Sequence, residues 1–190
     1  MNQPRDGGER TVAVILLGPP GSGCTSVGAA LAAQRGGRSI DLAQRVAQHL
    51  GVAEASALVA VGEARYREVE AAVAVQTLQA LEDGDVVALG SGCLGRAEVG
   101  AALAGARQRG ARVVALTASV RRLAYRNGLD APRSVALGNV NHVFTQMLHE
   151  RDAQCQALAD GVIDTTHTSA QEVAQALSSL PQRRDRLAGV

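Results

Sequence analysis

The chain has 190 residues, a net charge of +1 and 46% apolar residues, which fits one domain with a real core and excludes wholesale disorder. So balanced a charge argues against nucleic acid as the main partner. No apolar run approaches the ~18 residues of a membrane span, and the opening MNQPRDGGER lacks a signal peptide's basic-then-apolar order, so no membrane and a cytoplasmic location are expected. In chain order, TVAVILLG (11–18) reads as a buried β-branched strand ended by Gly-Pro-Pro. Residues 25–35 have helical spacing, with Val27, Ala30 and Leu31 on one side. RSID is a short strand ending at Asp41, and helices are expected over 42–50 and 62–82. DVVALG (85–90), ARVVALT (111–117) and GVIDTT (161–166) are further short strands. Helices over 96–109, 120–126, 139–158 and 170–180 fill the gaps. This alternation implies an α/β fold with a mostly parallel sheet covered on both faces. Residues 1–10 and 181–190 read as flexible ends around a single domain over 11–180.

Two residue types are informative by their use. Cys24, Cys93 and Cys155 are odd in number and widely spaced, which suits reduced thiols. All nineteen basic residues are arginine, so no side chain of this protein can offer an ammonium group.

That absence bears on the stretch GPPGSGCTS, Gly18 to Ser26. The phosphate-loop pattern G-x-x-x-x-G-K-[ST] is met at Gly18, Gly23 and Thr25, while Cys24 stands where lysine belongs. Strand, glycine loop and helix come in the order such a loop needs. Glycines, including Gly21, let backbone N–H groups converge on an anion beside Ser22, and the helix N-terminus adds its positive end. Thr25 can place its hydroxyl on Mg²⁺. A missing pre-organised cation costs about 3 kcal/mol of transition-state stabilisation, a hundredfold or more in rate. Cys24 stands at a helix start, where a thiol's pKa can fall; the blander reading is a passive small residue.

Beyond the loop, the chain resembles the shikimate kinases, within the nucleoside-monophosphate-kinase-like fold, from about Thr11 to Leu180. SID, ending at Asp41, resembles the family's Asp-x-Asp segment. GEARYREVE (62–70) is similar to G-E-x-x-F-R-x-x-E, LGSGC (89–93) to the L-G-G-G loop, RNGLDAPRSV (126–135) to the lid, and HER supplies Arg151. The resemblance implies a five-stranded parallel sheet in the order 2-3-1-4-5. It also implies Arg67 and Arg151 on a substrate carboxylate, with Gly90, Ser91 and Gly92 beside it. Arg126 would lie beside the adenine, Arg133 would close over the transferring phosphate, and Asp41 would join Thr25 in holding Mg²⁺. Guanidinium forks suit a carboxylate, and Glu70, three residues after Arg67, can orient it.

The departures from that pattern concern chemistry. The second aspartate of Asp-x-Asp falls on Ala43, which cannot accept a proton, and Ser91 interrupts the glycine triplet. With Cys24, these point to a pseudokinase-like monomer that binds Mg²⁺ with ATP or ADP weakly, and a small carboxylate, with little phosphotransfer. An active ATP-dependent kinase on shikimate or a related hydroxy acid is the alternative. A non-catalytic partner of another shikimate-pathway enzyme is a third.

Overall fold

Val14–Leu17 forms a strand (β1) buried along its whole length, and the reason is its place at the centre of a sheet. The computed structural model describes residues 11–128 and 138–179. Four more strands follow: β2 (Ser39–Asp41), β3 (Val86–Ala88), β4 (Arg112–Thr117) and β5 (Gly161–Asp164). They lie in the order β2-β3-β1-β4-β5, every neighbouring pair parallel. Val14 stands opposite Val86 on one side and Arg112 on the other. Both the expected fold class and the 2-3-1-4-5 order are therefore observed.

Side chains alternate across a strand, and the core divides accordingly. Ile15, Leu17, Val87, Val113 and Ala115 enter one apolar cluster. They meet Val69, Val73 and Leu78 of helix α4 (Glu63–Gln79) and Val99 and Leu103 of α5 (Ala97–Gln108). Val14, Leu16, Val86, Ala88, Val114 and Leu116 enter the other. There they meet α1 (Cys24–Arg35) through Val27 and Leu31, and α8 (Ala170–Ser178) through Val173 and Leu177. Leu31 is fully buried, so truncating it to alanine costs about 2–5 kcal/mol.

The remaining helices are α2 (Leu42–Leu50), α3 (Ala57–Val61), α6 (Val120–Arg126) and α7 (Gly138–Leu158). The sequence reading missed α3 and the single 3-10 turn before it at Glu54–Ser56, each too short to show a helical period. It also overextended every strand, β1, β3 and β5 most: β1 is Val14–Leu17 rather than 11–18, β3 is Val86–Ala88 rather than 85–90, and β5 stops at Asp164 rather than at 166. No helix among the described residues is long and apolar enough to cross a membrane.

Because all five strands run the same way, their C-terminal ends share one edge. In open parallel sheets that edge is where ligands bind. Here it delivers residues 18–23 after β1, Asp41 at the end of β2, Leu89–Gly92 after β3, and Thr165 after β5.

Candidate functional site

An open cleft of about 650 Å³ lies along that edge. At one end is the glycine loop. Gly21 and Gly23 have φ of 83° and 103°, left-handed values that glycine adopts without strain. Ser22 N–H donates to Pro19 O at 3.0 Å, closing a turn. Helix α1 starts immediately afterwards with no side-chain cap, so its first N–H groups are left for another acceptor.

Cys24, the first residue of α1, is buried at 9% exposure. Burial pushes its thiol up to about 11, against the lowering effect of the Ser22 hydrogen bond; Ser22 Oγ lies 3.5 Å from the sulfur. This corrects the idea that the helix start lowers the thiol's pKa: loss of water outweighs the helix's positive end. The residue is a neutral, compact wall, in keeping with the blander reading. Thr25, beside it, donates its hydroxyl to Asp41 Oδ2 at 2.6 Å. Asp41 Oδ1 accepts from Gln44 N at 3.2 Å and so also caps α2. The two residues expected at a magnesium ion are thus brought together. Their chemistry fits a hard cation: the hydroxyl hydrogen goes to Asp41, which leaves the Thr25 lone pairs free. With one carboxylate present, such an ion would draw most of its ligands from water and phosphate. Among the described residues no group of three histidine, cysteine or acidic side chains could hold a metal.

The other end of the cleft is built on charge. Arg67 Nη1 donates to Glu70 Oε2 at 2.8 Å, one helical turn along α4. Glu63 Oε1 stands 3.6 Å from Arg67 Nε, and the Arg67 guanidinium lies 5.5 Å from the Tyr66 ring centroid. Burial pulls Arg67 downward in pKa, but the hydrogen bond and charge of Glu70 more than offset it, and the net shift is upward. A Cβ added at Gly92 would lie 2.4 Å from Glu70 Oε1 and 2.5 Å from Arg67 Nη1. The bare backbone of Gly92 is what lets the pair lie against this loop. Arg151 of α7 lines the same cleft. Burial, then the charge of Arg67, lowers its pKa, against the raising effect of Glu70 and Glu63. Glu63 is exposed and does not line the cleft, so the wall at this end presents two guanidiniums and the one carboxylate of Glu70 to a ligand.

Ala43, the buried Ser91 and Gly90 (φ 70°) line the cleft between its two ends. Arg126, expected beside the adenine, lines it too, and its guanidinium is engaged. Nη1 donates to Gly21 O at 2.9 Å and to Thr165 Oγ1 at 3.1 Å, and Nη2 donates to Thr165 O at 2.8 Å. Burial and the charge of Arg122 lower its pKa. Arg133 lies outside the described residues. The cleft therefore brings together Gly18, Gly21–Thr25, Asp41, Ala43, Arg67, Gly90–Gly92, Arg126 and Arg151. Sequence reading missed Thr165 and Asn127, which bond to the loop from distant parts of the chain. Neither carries a specific sequence signal: Thr165 lies within the expected strand 161–166, and Asn127 follows the expected helix 120–126.

Residues 20–180 match the family profile described as Shikimate kinase. The chain is 34% identical to a shikimate kinase of Thermobifida fusca over 172 residues, covering 90% of this chain and 96% of that one. It is 33% identical to one of Streptomyces coelicolor over 163 residues, covering 86% and 91%. Among solved structures it is similar to a shikimate kinase of Acinetobacter baumannii in complex with shikimate, with 25% identity, a TM-score of 0.73, and coverage of 88% and 91%.

Proposed function

This chain belongs to the shikimate kinase family, and from that premise we propose that its cleft takes a nucleotide at the glycine loop and a small hydroxylated carboxylate, shikimate or a close relative, at Arg67 and Arg151. Phosphoryl transfer between the two proceeds, but far more slowly than in a member with lysine and aspartate at positions 24 and 43. The observation that carries the reading is the Arg67–Glu70 pair laid on Gly92, with Arg151 beside it, facing the loop across one cleft. Two guanidiniums can hold a carboxylate in a fixed orientation while backbone N–H groups hold phosphates at the other end. That arrangement supplies proximity, a large part of catalysis for a bimolecular transfer. Mg²⁺, held by Thr25 and Asp41, would supply charge neutralisation between the phosphates.

Similarity to proteins named shikimate kinase supports transfer itself. The side chains at the reacting centre support a low rate. A neutral buried thiol at position 24 offers no charge to the terminal phosphates, and the methyl group of Ala43 cannot take a proton from a hydroxyl. Lysine's contacts fall mostly on the terminal phosphates, so MgATP should lose more affinity than MgADP.

A coupled assay with ATP, Mg²⁺ and shikimate, run beside an intact family member, tests this. The expected result is shikimate-dependent ATP consumption at least about a hundredfold below the control. A rate equal to the control would remove the impairment. No consumption at all, with both ligands still bound, would leave a binding protein in place of a kinase.

A further inference from the structure

The glycine loop is gripped from outside. Pro20 O accepts from Asn127 Nδ2 at 3.0 Å, Gly21 O from Arg126 Nη1 at 2.9 Å, and Ser22 O from Thr165 Oγ1 at 2.8 Å. Three consecutive carbonyls are thus received by donors 107, 105 and 143 residues away in sequence. Thr117 O also lies 3.0 Å from the Thr165 hydroxyl, but it already accepts the Thr165 backbone N–H at 2.8 Å. The one hydroxyl hydrogen can serve only one of the two carbonyls at a time, and Ser22 O is the nearer, at 2.8 Å against 3.0 Å, while the hydroxyl oxygen accepts from Arg126. Thr165 is only 3% exposed, so these bonds are shielded from water. Asn127 Nδ2 is fixed by a second bond, to Leu123 O at 2.7 Å. It also sits where Gly21 lacks a side chain, since a Cβ there would lie 2.7 Å from it.

A trans peptide points its C=O and the following N–H in opposite directions, and the described residues contain no cis peptide. Holding Pro20 O and Ser22 O outward therefore turns the N–H groups of Gly21 and Gly23 to the opposite side. Ser22 N–H, between them, is spent on Pro19 O. We propose that Asn127 and Thr165 are positioning residues for an anion site at this loop, setting the direction of its backbone donors through the carbonyls they bond. The proposal rests on the reading that the loop takes a nucleotide's phosphates. A neutral thiol at position 24 adds weight to it, because the backbone donors then supply most of the loop's own attraction.

The test compares Thr165→Val, Thr165→Ser and Asn127→Ala in the full chain. MgADP affinity is measured by calorimetry, with the ligand-free melting temperature and the shikimate-induced melting shift measured alongside. Thr165→Val should weaken MgADP about tenfold, and the exposed Asn127→Ala about threefold. Thr165→Ser, which keeps the hydroxyl, should return close to the wild-type affinity. The shikimate shift should stay constant throughout, since Arg67 and Arg151 are untouched. Asn127→Ala keeps the test decisive should Thr165→Val fold poorly. Unchanged MgADP affinity in the variants, with the wild type binding normally, sinks this proposal alone. So does a parallel loss of MgADP and shikimate responses, which marks general destabilisation. A wild type that binds no MgADP overturns both this proposal and the nucleotide reading beneath it.

Discussion

The two ends of the cleft are built from different materials. The loop end is made of backbone: left-handed glycines, an uncapped helix start and carbonyls held outward, around a thiol that carries no charge. The acid end is made of side chains: two guanidiniums, one carboxylate and a glycine that gives them room. A backbone site tolerates the loss of a side chain, because its donors belong to every residue type. A side-chain site does not, because its charge sits on one or two atoms. This difference explains how a glycine loop with cysteine at position 24 can keep its shape.

The largest expected effect comes from adding charge at two uncharged positions, Cys24 at the loop end and Ala43 in the middle of the cleft. Cys24→Lys with Ala43→Asp should raise shikimate-dependent ATP consumption by about a hundredfold or more, with each single change doing little while the other group is missing. Adding Ser91→Gly should increase the gain if Ser91 crowds the ligand. A double and triple variant no faster than wild type, yet binding both ligands, would show that these positions are not what limits the reaction.

Arg67→Ala attacks the acid end. It should weaken a shikimate-like carboxylate about a hundredfold and abolish its melting-temperature shift, while MgADP affinity holds. Leaving the nearly buried Glu70 without its partner should also cost about 1–3 kcal/mol of stability, read from urea midpoints. If the ligand shift survives in the variant, Arg67 leaves the site.

Gly92→Ala is the finer version. Its methyl group would press on both Arg67 and Glu70, at 2.5 Å and 2.4 Å. About a tenfold loss of carboxylate affinity with unchanged MgADP binding is expected. Equal loss of both ligands would mean that the two ends are not separable.

A final effect, on stability and not on ligands, concerns the thiols. Burial raises Cys24 to about 11, and Cys93 and Cys155 each to about 12, from an ordinary 9.0. Between pH 9 and 11 the unfolded chain has released protons that the native state still holds, so stability falls as pH rises. The slope should reach about 1.4 kcal/mol per pH unit for each thiol. Urea midpoints should be level from pH 7 to 8, decline above 9, and decline less steeply in Cys155→Ala. A midpoint that stays constant to pH 10.5 would contradict the burial of these groups.

The sequence read well where one neighbourhood decides the structure. Apolar runs located the three inner strands β1, β3 and β4, because a strand inside a parallel sheet is buried on both faces and reads as a continuous apolar stretch. The spacing of Arg67 and Glu70 predicted their contact, because residues three apart meet on a helix. Resemblance to a family set the strand order and the far member of the acid pair, Arg151, which no local pattern could place. Reading failed where distant segments compete. The pKa of Cys24 follows from how many groups bury it, and a helix start alone argued the other way. Thr165 and Asn127 gave no signal, because their roles are defined by carbonyls more than a hundred residues earlier.

That last separation has a consequence for how the protein is made. The glycine loop leaves the ribosome long before Thr165, the donor on which its third carbonyl waits, 143 residues later. The helix that carries the loop packs against α8, the last described element, and Arg35 Nη2 of α1 bonds to Leu177 O at 3.0 Å. At ordinary synthesis rates the interval is roughly ten to thirty seconds, during which the nascent chain holds an unfinished anion nest beside an uncovered apolar sheet face. Such long-range closure slows folding. It also means that a chain stalled before β5 lacks the Thr165 donor that holds Ser22 O, so the loop cannot take its final shape until that strand has been made.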